Sequence, residues 1–377
     1  NAWPIEEWKR RNAELQRAVA AKTHDLQKKN RELEIEAALE RVRAKSMAMR
    51  KSEDLADLSL ELVQQVQNLG IETWFCAFNI NDGDEKGGLE WGSNGQGVFP
   101  KYRTPREGIF LEYHNARQSG ESLYVREIGE KECPAHYEYL CTLPGVGDQL
   151  LQMKEEGIPF PTSQIDHVAF FKYGYILFIT FEPVPESHNI FRRFAKVFEQ
   201  TYTRFLDLQK AEEQAREARI EAALEKIRSK TMAMQSSAEL PEAANLLFLE
   251  IQALGIPTWS TGYNILSDDK RSAECWMSSE GAIQRPFTLY YREEKSFIEQ
   301  YEFFKSTEQF LIQELSGEAL QQAYDYMKTI PKIGDVIIAE LEQSGISLPT
   351  YQINHLCKFE QGYLLFITYE PVPDAHE

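Results

Sequence analysis

The stretch that decides the fold is PTSQIDHVAFFKYGYILFITFEPVP at residues 161–185, which returns as PTYQINHLCKFEQGYLLFITYEPVP at residues 349–373. In each copy, two runs rich in aromatic and β-branched residues flank a short segment that contains Gly174 or Gly362. Such runs on either side of a glycine-containing turn predict a β-hairpin. The Pro-Val-Pro that follows ends the second strand, because proline has no N–H to donate to a sheet. Each copy therefore predicts a hairpin with a tight turn at the glycine.

The hairpin belongs to a longer internal repeat. IEAALERVRAKSMAM at residues 35–49 returns as IEAALEKIRSKTMAM at residues 220–234, so Ile35 corresponds to Ile220. At the hairpin Pro161 corresponds to Pro349, and the offset between the copies has drifted by only three residues across the repeat. One long unit at a nearly constant offset indicates a tandem duplication rather than a short-period solenoid.

Each repeat shows the same order of predicted elements. An amphipathic helix ends at Gly70 in the first repeat, and strands follow at residues 71–80 and around Trp91. The middle is mostly helical, with interruptions near Tyr124 and, in the second repeat, Phe310, and the hairpin comes last. An antiparallel sheet with helices packed on it would bury the apolar strand faces. The expected fold class is therefore α+β, with a central antiparallel sheet flanked by helices in each repeat.

Composition limits the classes of function. The 377 residues carry a formal net charge of −18, which argues against a nucleic-acid partner because phosphate binding needs a basic face. The five cysteines form no CxxC pair, so neither a zinc site nor a disulfide framework is indicated, and a cytoplasmic location is expected. No apolar run approaches the roughly 20 residues of a membrane helix, so this fragment is expected to make no membrane contact.

The sequence contains none of the common catalytic motifs. There is no GxxxxGK[ST], GxSxG or HExxH, and no GxGxxG that opens a helix after a strand. The expectation is that the fragment has no catalytic residues and no metal site. No cofactor is assigned.

The element order resembles that of the GAF domain, a small-molecule sensor module of bacterial signalling proteins. The EAALERVR motif at residues 36–43, followed by MAM at 47–49, is similar to the segment before GAF-like regions in Bacteroidetes-type sensor histidine kinases. KTxxLxxKNxEL at residues 22–33 resembles their coiled-coil connectors. The resemblance implies a two-component sensor region whose missing output domain would follow His376. It leaves open whether the parent protein has a membrane anchor upstream. The cyclic-nucleotide and bilin signatures of the family are not found.

Two long segments predict helices that connect the domains. Residues 8–49 and 187–236 contain neither glycine nor proline. The expected domains are an N-terminal signalling helix at 1–52, a first GAF-like domain at 53–205, a linker helix at 206–236 and a second GAF-like domain at 237–377. Two interpretations of the helices remain open: solvated spacers, or a parallel two-stranded coiled coil in a homodimer. The coiled coil is preferred, with an interface predicted at Leu15, Val19, Leu26, Leu33, Ala37 and Ala222.

Aromatic residues and two histidines recur at equivalent places and are the candidates for a ligand site. The predicted ligand-binding residues are Trp74, Trp91, Tyr102, Tyr113 and His167 in the first repeat, and Trp259, Trp276, Tyr291 and His355 in the second. The competing interpretation is that the aromatic residues are ordinary core and that the histidines are satisfied by local hydrogen bonds. The sequence thus predicts a sensory or signal-relay region that responds to a small-molecule or upstream signal. The alternatives are a passive dimerisation scaffold with ligand-free domains, or an enzyme whose site the motifs do not reveal.

Overall fold

The computed structural model describes residues 3–279, 281–339 and 347–372. Contacts divide the chain into two compact units, residues 1–211 and 212–377, called here the first and second unit. In each unit the strands form one antiparallel sheet, and helices pack on it. The predicted α+β class is confirmed. Over the described ranges, no helix combines the length and apolar character needed to cross a bilayer.

The described residues of the first unit form five complete α-helices and the start of a sixth. The helices are α1 Trp3–Met47, α2 Leu55–Asn68, α3 Gly108–Gln118, α4 Cys133–Leu140, α5 Val146–Glu155 and α6 His188–Ala233, the last of which crosses into the second unit. The strands are β1 Thr73–Ile80, β2 Gly87–Ser93, β3 Tyr102–Pro105, β4 Leu123–Ile128, β5 Gln164–Phe171 and β6 Gly174–Thr180. Their order in the sheet is β3-β2-β1-β6-β5-β4.

The predicted hairpin forms the middle of this sheet. β5 and β6 pair antiparallel with His167 opposite Phe178, and β6 also pairs with β1. Gly174 is the first residue of β6 rather than the tip of the turn, which contains Lys172 and Tyr173. A Cβ atom on Gly174 would lie 1.8 Å from the carbonyl oxygen of Asn79 on β1. Glycine is therefore required here by the close approach of a neighbouring strand, which the hairpin sequence alone does not reveal.

The interruptions in the predicted helical middle are edge strands. Tyr124 lies in β4, which pairs with β5 and closes one edge of the sheet. β3 closes the other edge through its pairing with β2, and the sequence did not predict it. A four-residue edge strand has too few residues to show clear alternation, so its pairing depends on the strand beside it.

The two faces of the first sheet carry different layers. One face, called here the helix face, packs against the end of α1, all of α2 and the start of α6; its buried members include Val42, Leu62 and Phe194. The other, called here the cavity face, packs against α3, α4 and α5; its buried members include Tyr113 and Leu150. Because side chains alternate along a strand, neighbouring residues of one strand serve different faces.

The first helix has two parts with different environments. Ile35, Ala38, Leu39 and Val42 are buried in the helix-face core, so the EAALERVR motif packs on its own unit. Arg31 donates a hydrogen bond of 2.6 Å to the carbonyl oxygen of Leu69, at the end of α2. Residues 35–49 therefore belong to the core of the first unit, although the sequence placed them in a separate N-terminal helix.

The second unit repeats this arrangement. Its helices are the end of α6, α7 Leu240–Ala253, α8 Lys295–Lys305 and α9 Gly317–Thr329, followed by a π-helical turn at Ile333–Ile338. Its strands are β7 Thr258–Leu266, β8 Ser272–Ser279, β9 Ala282–Ile283, β10 Phe287–Tyr290, β11 Phe310–Ser316, β12 Tyr351–Phe359 and β13 Gly362–Thr368. The sheet order is β10-β8-β7-β13-β12-β11, with β9 paired to β8. Lys226 of α6 forms an ion pair of 3.0 Å with Glu250 of α7.

Candidate functional site

Each unit has a cavity on the cavity face of its sheet. In the first unit it lies between the sheet and helices α3–α5, where about 540 Å³ is free of atoms, part of it open to solvent. Its walls are mainly aromatic and aliphatic, which is typical of small-molecule sites. The lining residues are Trp74, Phe75, Glu90, Phe99, Tyr102, Phe110, Tyr113, His136, Tyr137, Leu140, Val146, Leu150, Gln164, Asp166, Leu177 and Ile179.

A chain of hydrogen bonds follows one wall of the first cavity. The Trp74 indole Nε1 donates to the Tyr137 hydroxyl at 3.0 Å, and that hydroxyl donates to Gln164 Oε1 at 2.8 Å. The Phe160 ring stacks on Tyr137 with centroids 5.0 Å apart. These contacts fix the orientation of the aromatic rings.

Glu90 of β2 is a carboxylate in the interior of the first unit. It has no exposed surface and accepts hydrogen bonds from the hydroxyls of Tyr102 at 2.5 Å and Tyr175 at 3.0 Å. The Asn79 amide donates a third bond at 3.2 Å. Burial raises the pKa of Glu90, and these donors oppose the rise because they stabilise the charged form.

Asp166 of β5 is the second buried acid of the cavity. It is 1% exposed and accepts hydrogen bonds from the Tyr113 hydroxyl and, at 2.7 Å, from Gln164 Nε2. Burial raises the pKa of Asp166 to about 7, although these two donors favour the ionised form. Among the described residues, neither Asp166 nor Glu90 forms an ion pair with a cationic side chain.

The structure separates the predicted ligand residues of the first unit into two groups. Trp74, Tyr102 and Tyr113 line the cavity. Trp91 packs in the helix-face core, and His167 contacts the ring of Phe191 on α6. Trp91 and His167 follow Glu90 and Asp166 in sequence, so strand alternation turns them away from the cavity.

Both predicted histidines have the environment of local structural residues. His167 Nε2 lies 2.9 Å from Thr180 Oγ1, and His355 Nε2 lies 3.0 Å from Thr368 Oγ1. Burial, with a smaller contribution from His188, lowers the pKa of His167 to about 4, and burial lowers that of His355. Both are therefore neutral near pH 7, and neither lines its unit's cavity.

The second cavity is larger and carries no acid among its described lining residues. About 830 Å³ is free of atoms there, part of it open to solvent, and the lining includes Trp259, Tyr324, Gln352 and Asn354. Tyr291 does not line it but lies in the adjoining core, where its hydroxyl bonds that of Tyr363. Trp276 is buried between Cys275 and Met277, which both line the cavity, so alternation turns its ring to the other face.

The polar residues of the two cavities differ at equivalent positions. In the alignment that pairs the motif at 35–49 with the one at 220–234, Glu90 corresponds to Cys275 and Tyr102 to Phe287. In the alignment of the two hairpins, Asp166 corresponds to Asn354, whose side-chain oxygen accepts from Gln352 at 2.8 Å. The second unit therefore builds the same sheet and cavity without either carboxylate.

The helix faces of the two units also differ. In the first unit, Phe191, Phe194 and Phe198 of α6 are fully buried against the sheet. In the second unit, the corresponding region is an apolar groove of about 910 Å³ between α6, α7 and the sheet. Its lining includes Leu224, Leu247, His355 and Phe366. Within the described part of the second unit, no helix takes the place that the start of α6 has in the first.

Glu90, Asp166 and Gln164 are cavity residues that the sequence prediction missed. A signal for the two acids was present: each is the only acid in its strand and is replaced by a neutral residue in the repeat. An acid at an inward position of a buried strand is unusual and points to a special environment.

Comparison with known proteins finds no matching family model and no curated protein of significant similarity. Over the described residues, no group of three or more acidic, histidine or cysteine side chains is arranged to hold a metal ion. The arguments for function therefore come from the cavities and the helices around them.

Proposed function

We propose that the chain is a sensory and signal-relay region of a multidomain signalling protein, built from two GAF-like modules. It couples a small-molecule or upstream signal, through helices that pair in a parallel homodimer, to an output domain elsewhere in the protein. The observation that carries the proposal is the layering of the first unit. The cavity lies on one face of a single sheet, and the incoming helix α1 and outgoing helix α6 pack on the other.

Direct contacts between α1 and α6 support the relay. Arg193 of α6 forms ion pairs of 2.8 Å with Glu32 and 2.7 Å with Glu36 of α1. Further along, the hydroxyls of Ser46 and Thr201 lie 2.7 Å apart in the core. Both residue numbers rise together, so the two helices run parallel within the first unit. A displacement of α1 therefore has a short route to α6.

Strand alternation supplies a route from the cavity to the helices. Asp166 faces the cavity, and the next residue, His167, contacts α6 through Phe191. Packed interiors do not deform continuously but change between discrete arrangements. A ligand that shifts β5 therefore favours a different packing position of α6 on the sheet. A coupling free energy of about 1–3 kcal/mol is sufficient for such a switch.

A ligand screen tests the sensing part of the proposal. The full chain is screened by thermal shift against nucleotides, haem, amines, organic acids and neutral metabolites. Stabilisation by particular compounds supports sensing, whereas no stabilisation by any class favours the passive dimerisation scaffold.

Matched variants assign each ligand to a cavity. Leu140→Phe narrows the first cavity and Met327→Phe the second, since these residues line equivalent places. A ligand of one cavity is expected to lose binding in one variant and keep it in the other. Unchanged melting without ligand shows that the variants fold.

Hydrogen exchange tests the relay itself. On addition of a ligand of the first cavity, amide exchange is expected to change in β5 and also in the first turns of α6. A change confined to the cavity walls contradicts coupling to the helices.

A further inference from the structure

Glu90 and Asp166 are buried acids that form no ion pair with a cationic side chain in the part of the chain that the structure describes. Each is at most 1% exposed and is hydrogen-bonded only by neutral hydroxyl and amide groups. An ionised carboxylate that is buried without a cation is costly, because hydrogen bonds replace only part of its hydration. Arg126 lies opposite Asp166 on β4, and its charge contributes a small lowering of the pKa of Asp166. Its ion pairs are with Glu112 at 3.0 Å and Glu132 at 2.7 Å.

The second unit shows that the fold does not require these acids. It has Cys275 in place of Glu90 and Asn354 in place of Asp166, and its sheet has the same strand order. Two of their hydroxyl donors change as well, since Phe287 replaces Tyr102 and Gln300 occupies the place of Tyr113 on the following helix. The donors Asn79, Tyr175 and Gln164 are retained as Asn264, Tyr363 and Gln352. The two units therefore share much of the polar framework, and the two carboxylates are what distinguish the first cavity.

The rest of the first cavity suits the apolar part of a cationic molecule. Trp74, Phe75, Phe99 and Phe110 contribute aromatic walls. An ammonium group near aromatic faces gains cation–π attraction, which is strongest where water is excluded. Carboxylates for the charge and aromatic rings for the body thus line the same cavity.

We propose that the cavity of the first unit binds a small organic cation, an amine or ammonium group on an apolar or aromatic body, through the carboxylates of Glu90 and Asp166. This inference rests on the sensory function proposed above and adds the chemical class of the ligand. The cation supplies a direct ionic partner, which neither acid has among the described residues.

Ionisation of Asp166 predicts how the binding depends on pH. The titratable and polar groups around Asp166 come from the sheet and from two helices. On the sheet they are Gln164 and His167 of its own strand, Arg126 of β4, Glu90 of β2 and Tyr175 of β6. On the helices they are Tyr113 of α3 and Cys133, His136 and Tyr137 of α4. Burial lowers the pKa of His136 to about 4, so it is neutral near pH 7. With the pKa of Asp166 at about 7, the ionised fraction falls about tenfold from pH 8 to pH 6, and cation affinity is expected to fall with it.

Titration calorimetry on the full chain tests the proposal with three probes of one shape: benzylamine, benzyl alcohol and benzoate. Benzylamine is expected to bind, and the other two are not. Glu90→Gln/Asp166→Asn is expected to weaken benzylamine binding at least tenfold. Glu121→Gln/Glu130→Gln, which removes two exposed acids of the same unit, is expected to leave it unchanged. If the first double variant does not fold, the single variant Asp166→Asn replaces it, because the second unit has asparagine at the equivalent position.

Several outcomes overturn the proposal. They are no binding of benzylamine or tetramethylammonium, equal binding of benzyl alcohol or benzoate, unchanged affinity in the acid variants, or saturation by K⁺ or Zn²⁺ alone. A neutral or anionic compound that binds the first cavity in the ligand screen leaves the sensory function standing while this inference fails. If no class of compound binds either cavity, both the sensory function and this inference are contradicted.

Discussion

At the scale of single residues, the contrast between Asp166 and Asn354 shows how a duplicated position has acquired different chemistry. Both lie on the first strand of the hairpin and contact the glutamine two residues earlier at nearly the same distance. Only the aspartate carries a titratable proton, and its burial raises its pKa to about 7. The hydrogen-bond geometry is therefore common to the two units, whereas the pH response belongs to the first.

Asp166→Asn is expected to remove a pH-dependent loss of stability in the first unit. Between pH 6 and pH 8 the unfolded chain has an ionised Asp166, whereas the folded chain retains its proton up to a pKa of about 7. The contribution of Asp166 to stability therefore falls as pH rises, by about 1.4 kcal/mol between pH 6 and pH 8. His136 and His167, with pKa values of about 4, contribute in the opposite direction, so the comparison is between variant and wild type. Calorimetric unfolding at both pH values measures the effect. Relative to the wild type, Asp166→Asn should gain about this much stability from pH 6 to pH 8, and Asn354→Gln in the second unit should show the wild-type slope. An unaltered slope in Asp166→Asn contradicts the raised pKa.

The sequence predicted some cavity residues and not others for a physical reason. Trp74, Tyr102 and Tyr113 were predicted because aromatic residues commonly line small-molecule pockets. Trp91 and His167 were grouped with them, although each stands one position from a cavity residue and turns to the other face. Which face of a strand meets a cavity is decided by the helices that cover it, and those contacts are distant in sequence.

Complementary volumes also shape each cavity in a way that the sequence does not show. A Cβ atom on Gly92 would lie 2.0 Å from the Phe75 ring, so the glycine makes room for that ring. In the second unit the corresponding pair is Met277 and Ser260, with the large side chain on the opposite strand. The exchange is understandable only when the two strands are seen side by side.

At the scale of elements, the start of α1 presents an apolar stripe. Leu15, Val19, Leu26 and Leu33 are 54–66% exposed, and Ala37 and Ala222 are exposed too. Val19, Leu26 and Leu33 are seven residues apart, and Asn12 occupies the same heptad position one repeat earlier. A polar residue at one core position of a heptad helps to fix parallel register in a dimer. The exposure fits the predicted homodimer interface, which stays a prediction.

Leu26→Asp/Leu33→Asp is expected to dissociate the dimer, because four buried carboxylates would face each other across a paired stripe. Light scattering at tens of micromolar protein measures the mass. Ala21→Asp, at an exposed position off the stripe, is the control and should remain dimeric. A wild-type chain that is monomeric under these conditions contradicts pairing through this fragment.

The start of α6 acts as part of the first unit's core. Phe194 is fully buried, and its ring lies near Phe178 on the sheet, with centroids 6.3 Å apart. Phe194→Ala is expected to cost about 3–5 kcal/mol of unfolding free energy, because a large apolar side chain is removed from a packed interior. Leu208→Ala on the same helix is the control, since Leu208 is 56% exposed and should change stability by less than about 1 kcal/mol. Urea unfolding measures both; equal losses would show that α6 does not pack as described.

At the scale of the whole molecule, the duplication is visible in two sheets with the same strand order. Each unit has its own core, and the chain divides between them at residues 211 and 212. Domains with separate cores generally unfold as separate cooperative units.

Two core variants test whether the units unfold independently. Phe248 of α7 is 1% exposed and corresponds in the repeat to Val63 of α2, so it is a buried residue of the second unit as Phe194 is of the first. Phe194→Ala is expected to lower the melting temperature of one calorimetric transition, and Phe248→Ala that of another. A single transition that both variants shift equally would mean that the chain unfolds as one cooperative unit.

The sequence by itself determined the duplication, the α+β class, the central hairpin and the two long helices, because these follow from local periodicity and from direct comparison of the repeats. Only the tertiary structure decided which strands close the sheet edges, which face carries the cavity, and that one acid from β2 and one from β5 both line it. Those features depend on contacts between residues far apart in the chain. Alternation along a strand gives the sheet two faces, and only the packing of the helices makes one of them the helix face and the other the cavity face.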